Sequence, residues 1–429
     1  MNPTIYALSS APGRAGVAVV RVSGPGAAGA VTALAGTLPV PRRAMLRTLD
    51  WQGKRLDQGL VLWFPAPASF TGEDCAEFHV HGGRAVRNAL FAAFEELGLK
   101  PAEPGEFSRR AVENSKLDLT RAEAIADLVD AQTEAQRRQA LRQHDGALAD
   151  LYEGWRAGLI AALGRVEAAI DFSDDGVEDT EIAAARKRAS EISQQIQKHI
   201  DDSGRGEALR EGLRLTVIGP PNAGKSSLVN ALARRSVAIV SDIPGTTRDV
   251  IEVRLDLGGY LVLVADTAGL RAATDAIEAE GVRRAISHAG GGMTLLLLDG
   301  SLDDPRAGLP PDMPAPDLTV WNKADLGFAR EGPCISLKTG TGLEELQNML
   351  RQRLEEKLGG EAPALTRPRH RLALREALAA LRHGLEVSRS AELFAEDLHL
   401  AMRAIGRITG RVDVEELLDF VFRDFCIGK

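Results

Sequence analysis

One short segment, Gly219-Pro-Pro-Asn-Ala-Gly-Lys-Ser226, constrains the fold of this chain more than any other feature. It fits the pattern G-x-x-x-x-G-K-[ST], whose glycines let backbone N–H groups close around phosphates while the lysine neutralises charge and the hydroxyl coordinates Mg²⁺. The segment follows Leu213 to Ile218, an apolar run rich in β-branched residues, and precedes Ser227 to Ala233, which has a helical pattern. The sequence therefore predicts an α/β domain with a phosphate-binding loop between a strand and a helix.

Three further motifs follow in a fixed order and narrow the choice of nucleotide. They are Asp242-Ile-Pro-Gly-Thr-Thr-Arg-Asp249, Asp266-Thr-Ala-Gly269 and Asn322-Lys-Ala-Asp325. Asp266 ends the predicted strand Leu261 to Ala265, where it can meet the Mg²⁺ shell, and Gly269 can bring its backbone near the γ-phosphate. Asp325 can accept both N–H groups on the Watson-Crick edge of guanine, a pair of donors that adenine lacks. The predicted nucleotide is therefore GTP.

The residues predicted to contact the nucleotide all come from these four motifs. They are Asn222, Ala223, Gly224, Lys225, Ser226, Ser227, Ser241, Asp242, Ile243, Pro244, Gly245, Thr246, Thr247, Asp266, Thr267, Ala268, Gly269, Asn322, Lys323 and Asp325. Lys225 is also expected to take part in catalysis, because phosphoryl transfer depends on positive charge at the phosphates.

The residue that positions the attacking water is not fixed by these motifs. Leu270 follows Gly269, and a leucine cannot orient water as the glutamine at that place does in Ras. Another residue must do so. The candidates in the segment that follows are Arg271, Asp275, Glu278 and Glu280.

Charge and cysteine content limit the class of protein. The net charge of −8 argues against an extended basic surface, so a nucleic acid would have to be held locally. The three cysteines, Cys75, Cys334 and Cys426, form no C-x-x-C pair, so neither a zinc ribbon nor a disulfide framework is predicted. The first residues do not resemble a secretory signal, and no apolar run approaches the ~18 residues that span a bilayer. We therefore expect a soluble cytoplasmic protein without a membrane anchor.

Composition divides the chain into four segments. Residues 1–118 mix predicted strands at 17–22, 60–64 and 77–81 with a helix at 85–97. Residues 119–210 have a helical composition with a capping-box pattern at Thr120 and Glu123. Residues 211–358 form the nucleotide domain, in which Gly258-Gly259 predicts a hairpin turn and hence one antiparallel strand in a mostly parallel sheet. Residues 359–429 are helical again, so the nucleotide domain is predicted to be inserted into a helical domain.

With these features the chain resembles the MnmE (TrmE) family, bacterial GTPases that modify the wobble uridine of certain tRNAs. The resemblance spans nearly the whole length. Besides the nucleotide motifs it rests on Pro12-Gly-Arg-Ala-Gly16, Ser69-Phe-Thr-Gly-Glu-Asp74, His81-Gly-Gly83, Pro104-Gly-Glu-Phe107, Lys116-Leu-Asp-Leu119 and Phe425-Cys-Ile-Gly-Lys429. It implies a multidomain α/β and all-α fold: an N-terminal α+β folate-binding and dimerisation domain, a discontinuous helical domain, and an inserted Ras-like P-loop GTPase domain.

The resemblance also implies a reaction and its partners. The family acts as a homodimer in a heterotetramer with MnmG (GidA), a partner that carries FAD and uses NADH. Together they place an aminomethyl-type (carboxymethylaminomethyl) group on C5 of uridine 34 in tRNA. The carbon comes from a tetrahydrofolate derivative, for which 5-formyl- and 5,10-methylene-tetrahydrofolate are the expected ligands.

For GTP hydrolysis the resemblance implies a potassium-activated mechanism. Glu278 matches the family's water-orienting glutamate. K⁺ would be held by the side chain of Asn222, by Thr246, and by the carbonyls of Ser241 and Ile243, while Thr247 would join Ser226 on Mg²⁺. Arg248 is the alternative source of positive charge, as an internal arginine.

For the folate the resemblance assigns Glu77 to the ring N–H groups. Arg21, Lys116 and Lys429 match the family's other folate contacts. Cys426 is either a nucleophile or a residue that positions the tail, and the sequence leaves both roles open.

A protein of another class, a GTP-dependent ribosome-assembly or RNA-binding switch, is the rival interpretation. Such a factor would be expected to carry a compact RNA-binding domain with a basic face, and none is evident in the sequence. The folate-site residues and the Cys-Ile-Gly-Lys ending favour the enzyme.

Overall fold

The computed structural model describes residues 2–171, 178–202, 204–235, 237–238, 252–265, 292–310, 313–360, 362–388, 390–412, 415–423 and 425–428. The chain forms two compact units. The first comprises Met1–Ala126, His144–Glu153 and Arg403–Lys429, and the second comprises Asp127–Gln143 and Gly154–Met402. Over the ranges just given, no helix has the length and apolar character needed to cross a membrane.

Strands and helices alternate in the first and middle thirds of the chain, and helices dominate elsewhere. The strands are β1 Ile5–Leu8, β2 Ala18–Ser23, β3 Met45–Trp51, β4 Lys54–Phe64, β5 Cys75–Val80, β6 Lys100–Pro101, β7 Leu213–Ile218, β8 Val237–Ala238, β9 Glu252–Leu257, β10 Tyr260–Ala265, β11 Met293–Asp299 and β12 Leu318–Asn322. The helices are α1 Ala27–Ala35, α2 Arg84–Glu96, α3 Glu106–Glu113, α4 Leu119–Asp130, α5 Glu134–His144, α6 Ala147–Asp171, α7 Glu178–Ile200, α8 Arg205–Glu211, α9 Lys225–Arg235, α10 Leu343–Leu358, α11 Pro368–Glu386, α12 Ala391–Thr409 and α13 Glu415–Phe422.

The first unit is built on a six-stranded sheet in the order β3-β4-β5-β2-β1-β6. Its neighbouring strands are antiparallel except β1 and β6. Helices α1 and α2 bury Val31 and Phe94 against one face, where Val20 and Phe78 point. Since side chains alternate along a strand, Arg21 and Glu77 point to the opposite face. That face is only partly covered, by a small apolar cluster that includes Phe107 of α3.

The start of α4 differs from the prediction. The Oδ1 atom of Asp118 accepts the backbone N–H of Arg121 at 3.0 Å, so Asp118 is the residue that caps the helix. The predicted capping box at Thr120 and Glu123 is wrong, because both residues already lie within α4 and are buried. Asp118, two residues before Thr120, caps the helix instead, and Thr120 is buried in the first turn of α4.

The second unit contains the nucleotide sheet, six-stranded in the order β12-β11-β7-β10-β9-β8. Strands β7, β10, β11 and β12 are parallel, and β9 runs antiparallel to β10 through a turn in which Gly258 and Gly259 have φ of 64° and 89°. The predicted hairpin is confirmed, and among the described strands of this sheet β9 is the one that runs antiparallel to the others, as predicted. Helices α9 and α10 pack Leu232 and Leu350 into the core of this sheet. The carboxyl ends of β7 and β12 therefore lie at one edge, the usual ligand-binding edge of such folds.

The connections into and out of the nucleotide sheet run side by side. Arg371 of α11 donates to the carbonyl of Ile200 at 2.6 Å and to Asp202 at 3.1 Å, and its Nε donates to Glu207 at 3.2 Å. Arg205 donates to the carbonyl of Gly359 at 3.0 Å. An inserted domain needs the chain segments that enter and leave it to lie together in this way. The predicted boundaries at 210/211 and 358/359 remain predictions.

Candidate functional site

The phosphate-binding loop lies between β7 and α9, the setting that the sequence predicts. Gly224 has φ +104°, and a Cβ placed on it would lie 2.5 Å from Nδ2 of Asn322 and 3.0 Å from Cδ1 of Leu337. Asn222 adopts a left-handed conformation at φ 59°. Only glycine fits at position 224, since any larger residue there combines backbone strain with a collision. The loop is thus shaped by its backbone.

Lys225 closes the loop on itself. Its Nζ atom donates to the carbonyls of Gly219 at 2.8 Å and Pro220 at 2.9 Å. Ser226 and Ser227 are exposed in the first turn of α9, which carries no acidic residue. The ammonium, the backbone N–H groups at the start of this turn and the positive end of the helix dipole converge on one place, so the loop suits an anion such as a phosphate chain.

Asn322 braces two loops from the end of β12. This buried side chain donates through Nδ2 to the carbonyl of Ala223 at 2.7 Å, and its Oδ1 accepts the N–H of Leu337 at 3.3 Å. The phosphate-binding loop is therefore joined to the segment after β12 through a single amide. In this structure Asn322 acts on the nucleotide site by holding its walls together.

Asp325 lies in the short 3-10 helix Ala324–Leu326, with its carboxylate exposed. Oδ1 accepts a hydrogen bond from the Ser336 hydroxyl at 2.7 Å. This bond, with the positive charges of Lys338 and Lys323, holds the pKa of Asp325 below its ordinary value. The carboxylate is thus an ionised acceptor at neutral pH, as recognition of two base N–H groups requires.

Ser336 and the loop that follows it were missed by the sequence reasoning. The loop is a tight turn in which the Ser336 N–H donates to the Thr341 carbonyl at 2.9 Å and the Gly340 N–H donates to the Ser336 carbonyl at 2.8 Å. Its place beside Asp325 arises because the Ile335 N–H donates to the Trp321 carbonyl at 2.7 Å, next to β12. The only local signal is a short polar stretch before a helix, which many surface loops share.

Lys323 occupies a left-handed position at φ 67°, and its Nζ lies 2.5 Å from Oδ2 of Asp299 at the end of β11. Burial is the largest influence on Asp299 and raises its pKa, but bonds from Lys323 and Ser301 outweigh it, so the net pKa is lowered. The lysine stem is thereby fixed along the wall between β11 and β12. Lys323 and Asn322 together set the direction in which Asp325 leaves the strand.

The remaining nucleotide and hydrolysis predictions fall outside the described residues. They concern Ser241, Asp242, Ile243, Pro244, Gly245, Thr246, Thr247, Arg248, Asp266, Thr267, Ala268, Gly269 and Glu278. Lys429, predicted to contact folate, also lies outside them.

A second polar site lies on the partly covered face of the first sheet. Arg21 and Glu77 are cross-strand partners on β2 and β5, and Arg21 donates to Oε1 of Glu77 through Nε at 3.1 Å and Nη2 at 2.9 Å. His79 lies 3.2 Å from Oε2 of the same carboxylate. The Arg21 guanidinium also stacks over Phe70 at 5.2 Å and Phe107 at 5.8 Å from the ring centroids. Charge and aromatic surface thus meet in one place.

Lys116 lies beside this site without joining the pair. The side chain is exposed, and its Cγ would be 3.3 Å from a Cβ placed on Gly72. Gly72 is two residues from Phe70, whose ring stacks on Arg21. The structure therefore places Arg21 and Glu77 in direct contact and Lys116 on the neighbouring loop.

The tail that carries Cys426 is fixed against the same unit. The N–H of Gly105 donates to the carbonyl of Cys426 at 3.3 Å, Pro104 forms a bridge with Ile427, and the Ser9 hydroxyl donates to the carbonyl of Gly428 at 2.9 Å. All three cysteines are free, and Cys426 is the exposed one. The thiol is therefore held on a fixed backbone while remaining accessible.

Comparisons with known proteins agree on one family. A family model described as GTP-binding protein TrmE N-terminus matches residues 4–116, and one described as MnmE helical domain matches residues 119–426. Relatives named tRNA modification GTPase MnmE match along the chain. That of Paramagnetospirillum magneticum is 54% identical with 100% of both chains covered, that of Rhodospirillum rubrum 54% with 99% of both, and that of Maricaulis maris 52% with 100% of both.

One solved structure, the G domain of the T. maritima FeoB iron transporter, matches at 22% identity. It covers 34% of this chain and 98% of its own, with a TM-score of 0.23. That score is too low to support a conclusion.

Proposed function

Since the chain belongs to the MnmE family of tRNA modification GTPases, we propose that its phosphate-binding loop binds GTP and that GTP hydrolysis drives modification of tRNA. One observation carries the nucleotide assignment: the ionised carboxylate of Asp325 and the loop around Lys225 are held at one sheet edge by Asn322. A base-reading acceptor and a phosphate cradle are thereby part of a single rigid frame. Guanine supplies the two donors that such an acceptor needs.

The base assignment is tested by Asp325→Asn. We expect the affinity for GTP to fall on the order of 100-fold, because two charge-assisted hydrogen bonds are lost. Affinity for xanthosine triphosphate should rise, because xanthine has a carbonyl where guanine has its 2-amino group and the asparagine amide can donate to it. Asp303→Asn, an exposed carboxylate in the loop after β11, is the matched control. Equal affinity of the Asp325→Asn protein for GTP would contradict the assignment.

The hydrolytic step is proposed to use Mg²⁺ at Ser226 and Thr247, and K⁺ at Asn222, Ser241, Ile243 and Thr246, with Glu278 orienting water. Two of these proposed ion ligands, Ser226 and Asn222, lie among the described residues, and their placement fits the ions. Ser226 is exposed in the first turn of α9, and Asn222, with its left-handed backbone, lies at the exposed tip of the loop. When bound, the two cations supply positive charge to the developing phosphate anion. Lys225 adds charge from its fixed place in the loop.

Potassium activation is tested by GTP turnover at equal ionic strength in KCl and NaCl. We expect hydrolysis to be faster in KCl by on the order of tenfold or more, because a site built for one monovalent cation stabilises the transition-state charge. Asn222→Ala should remove most of the difference. Asn230→Ala, an exposed residue of α9, should keep it. Equal rates in the two salts would exclude this part of the proposal.

The second site is proposed to bind a tetrahydrofolate derivative, 5-formyl- or 5,10-methylene-tetrahydrofolate, with Glu77 facing the ring and Arg21, Lys116 and Lys429 facing the carboxylates. The support is the combination of a partly covered sheet face, two aromatic rings and a cross-strand ion pair. Flat heteroaromatic ligands with charged tails suit such surfaces. Cys426 would then present its thiol from a fixed tail on the same unit.

The complete reaction is proposed to be addition of a carboxymethylaminomethyl-type group to C5 of uridine 34. The protein would act as a cytoplasmic homodimer in a heterotetramer with the FAD- and NADH-dependent MnmG partner. The four-part domain layout, 1–118, 119–210, 211–358 and 359–429, is part of this proposal.

Mass spectrometry of tRNA nucleosides tests the reaction. Cells that lack this chain should lose the modified uridine and regain it with the wild-type gene but not with Asp325→Asn. Unchanged nucleosides in the deletion strain would refute the reaction while leaving the GTP measurements valid.

A further inference from the structure

A buried arginine connects the second polar site to the tail. Arg110 of α3 is only 3% exposed. Its Nη1 donates to Oε2 of Glu73 at 3.0 Å, and its Nη2 donates to Oε1 of Glu106 at 2.6 Å. A guanidinium is withdrawn from water at a large cost, which only well-placed partners offset. The two carboxylates of Glu73 and Glu106 around the buried Arg110 therefore hold one another in a defined position.

On one side of Arg110 the hydrogen bonds lead to the tail. The other oxygen of Glu106, Oε2, accepts the N–H of Glu103 at 2.8 Å, which closes the turn before α3. Gly105, at φ 66° in that turn, donates its N–H to the carbonyl of Cys426. A Cβ on Gly105 would lie 2.9 Å from Phe422 and Phe425, so the turn and the tail are in close contact. The position of the Cys426 backbone thus depends on this turn.

On the other side the bonds lead to the sheet. Oε2 of Glu73 also accepts the hydroxyl of Ser23 at 2.7 Å, and Ser23 bonds to Thr71 at 2.7 Å. Ser23 lies two residues after Arg21 on β2, and Thr71 follows Phe70, whose ring stacks on Arg21. A continuous series of hydrogen bonds therefore runs from the strand that carries Arg21 to the turn that holds Cys426.

We propose that Arg110 is a positioning residue that sets the place of the Cys426 backbone relative to the sheet face of Arg21 and Glu77. The inference rests on the proposed function in one respect, that Cys426 takes part in the reaction. Arginine suits the task because its planar fork reaches two carboxylates at once, whereas a lysine offers a single point charge. Arg110 itself touches no substrate, and its effect passes through Glu106 and the turn.

Arg110→Lys tests this in the full-length protein, with hydrogen exchange followed by mass spectrometry. Exchange of the segments 103–107 and 421–428 should become about tenfold faster, while strands β2 and β5 keep their wild-type rates. Modification of tRNA by the complex with its partner should fall in kcat by about tenfold to a hundredfold at unchanged KM for tRNA. GTP turnover should not change. Arg165→Lys, which alters an exposed ion pair with Glu181, is the matched control and should change none of these.

Two results would overturn the inference: wild-type exchange of the tail in a folded Arg110→Lys protein, or faster exchange with an unchanged kcat. Glu106→Gln leaves Arg110 paired with Glu73, and it decides the question alone if Arg110→Lys does not fold. The same rise in tail exchange and fall in kcat supports the inference, and their absence refutes it. The exchange measurement does not depend on activity, so it separates failure of this inference from failure of the proposed reaction.

Discussion

The two sheets have equal strand numbers but build their sites differently. In the mostly parallel sheet the site lies at the carboxyl edge, where loops after β7 and β12 meet. In the mostly antiparallel sheet it lies on the partly covered face, where Arg21 and Glu77 meet across neighbouring strands. We call the first of these the edge site (Lys225, Asn322 and Asp325) and the second the face site (Arg21 and Glu77). The edge site is shaped by backbone conformation, as at Gly224, whereas the face site is shaped by side chains.

This difference decides how each site responds to substitution and how readily it is recognised. A loop at a strand end is encoded by consecutive residues, so its chemistry appears as a motif. A site on a sheet face takes alternate residues from strands that are distant in sequence, so only the register brings them together. Substitutions that change the backbone should therefore damage the edge site most, and substitutions that remove one charge should damage the face site most.

The largest expected effect comes from Gly224→Ala. The added Cβ collides with Asn322 in a backbone conformation that alanine avoids, so the affinity for GTP should fall by more than about 100-fold in calorimetric titration. Gly327→Ala is the matched control: it also has positive φ, at +71°, but a Cβ there meets nothing within 4 Å. If the two variants bind GTP equally, backbone shape does not control the edge site.

An intermediate effect is expected for Glu77→Ala on the face site. Folate affinity should fall about tenfold, because the loss of a charged acceptor costs about 1.5 kcal/mol, while GTP turnover stays at the wild-type rate. Glu77→Gln should recover part of the affinity by keeping one acceptor oxygen. Glu113→Ala, which removes an exposed i,i+4 pair with Arg109, is the control. Unchanged folate affinity in Glu77→Ala would show that the ion pair is structural only.

The smallest effect is expected for Ser336→Ala. Loss of one hydrogen bond to Asp325 should lower GTP affinity about fivefold, equivalent to about 1 kcal/mol. The pKa of Asp325 should rise toward its ordinary value, so the acid limit of GTP binding should move to higher pH. Ser9→Ala, in the first unit, should leave this pH profile unchanged. A profile that does not move would mean that Ser336 does not tune the carboxylate.

Among the described residues, the sequence alone indicates more of the edge site than of the face site, for physical reasons. Lys225 and Asp325 belong to contiguous motifs whose chemistry depends on local spacing. Ser336 was missed because its position comes from pairing beside β12, which no local pattern reports. The pairing of Glu77 with Arg21 likewise comes from the β2–β5 register; the resemblance named both residues without placing them in contact.

The same limit applies to helix ends. Asp118 and Thr120 both suit a cap, and the choice between them depends on which one is buried in the folded unit. Burial is a property of the tertiary structure, so the capping pattern alone selected the wrong residue. The existence of α4 was predicted, whereas the residue at which it begins was not.

The bond between Ser9 and Gly428 has a consequence for the order of events during synthesis. It joins residues 419 positions apart, whereas the Asn322–Ala223 bond that frames the nucleotide loop joins residues 99 apart. A ribosome must release residue 428 before the Ser9–Gly428 bond can form, so the nucleotide domain can assemble on the growing chain before the tail is fixed in place. A polypeptide interrupted shortly before that point would therefore hydrolyse GTP without a completed thiol-bearing tail.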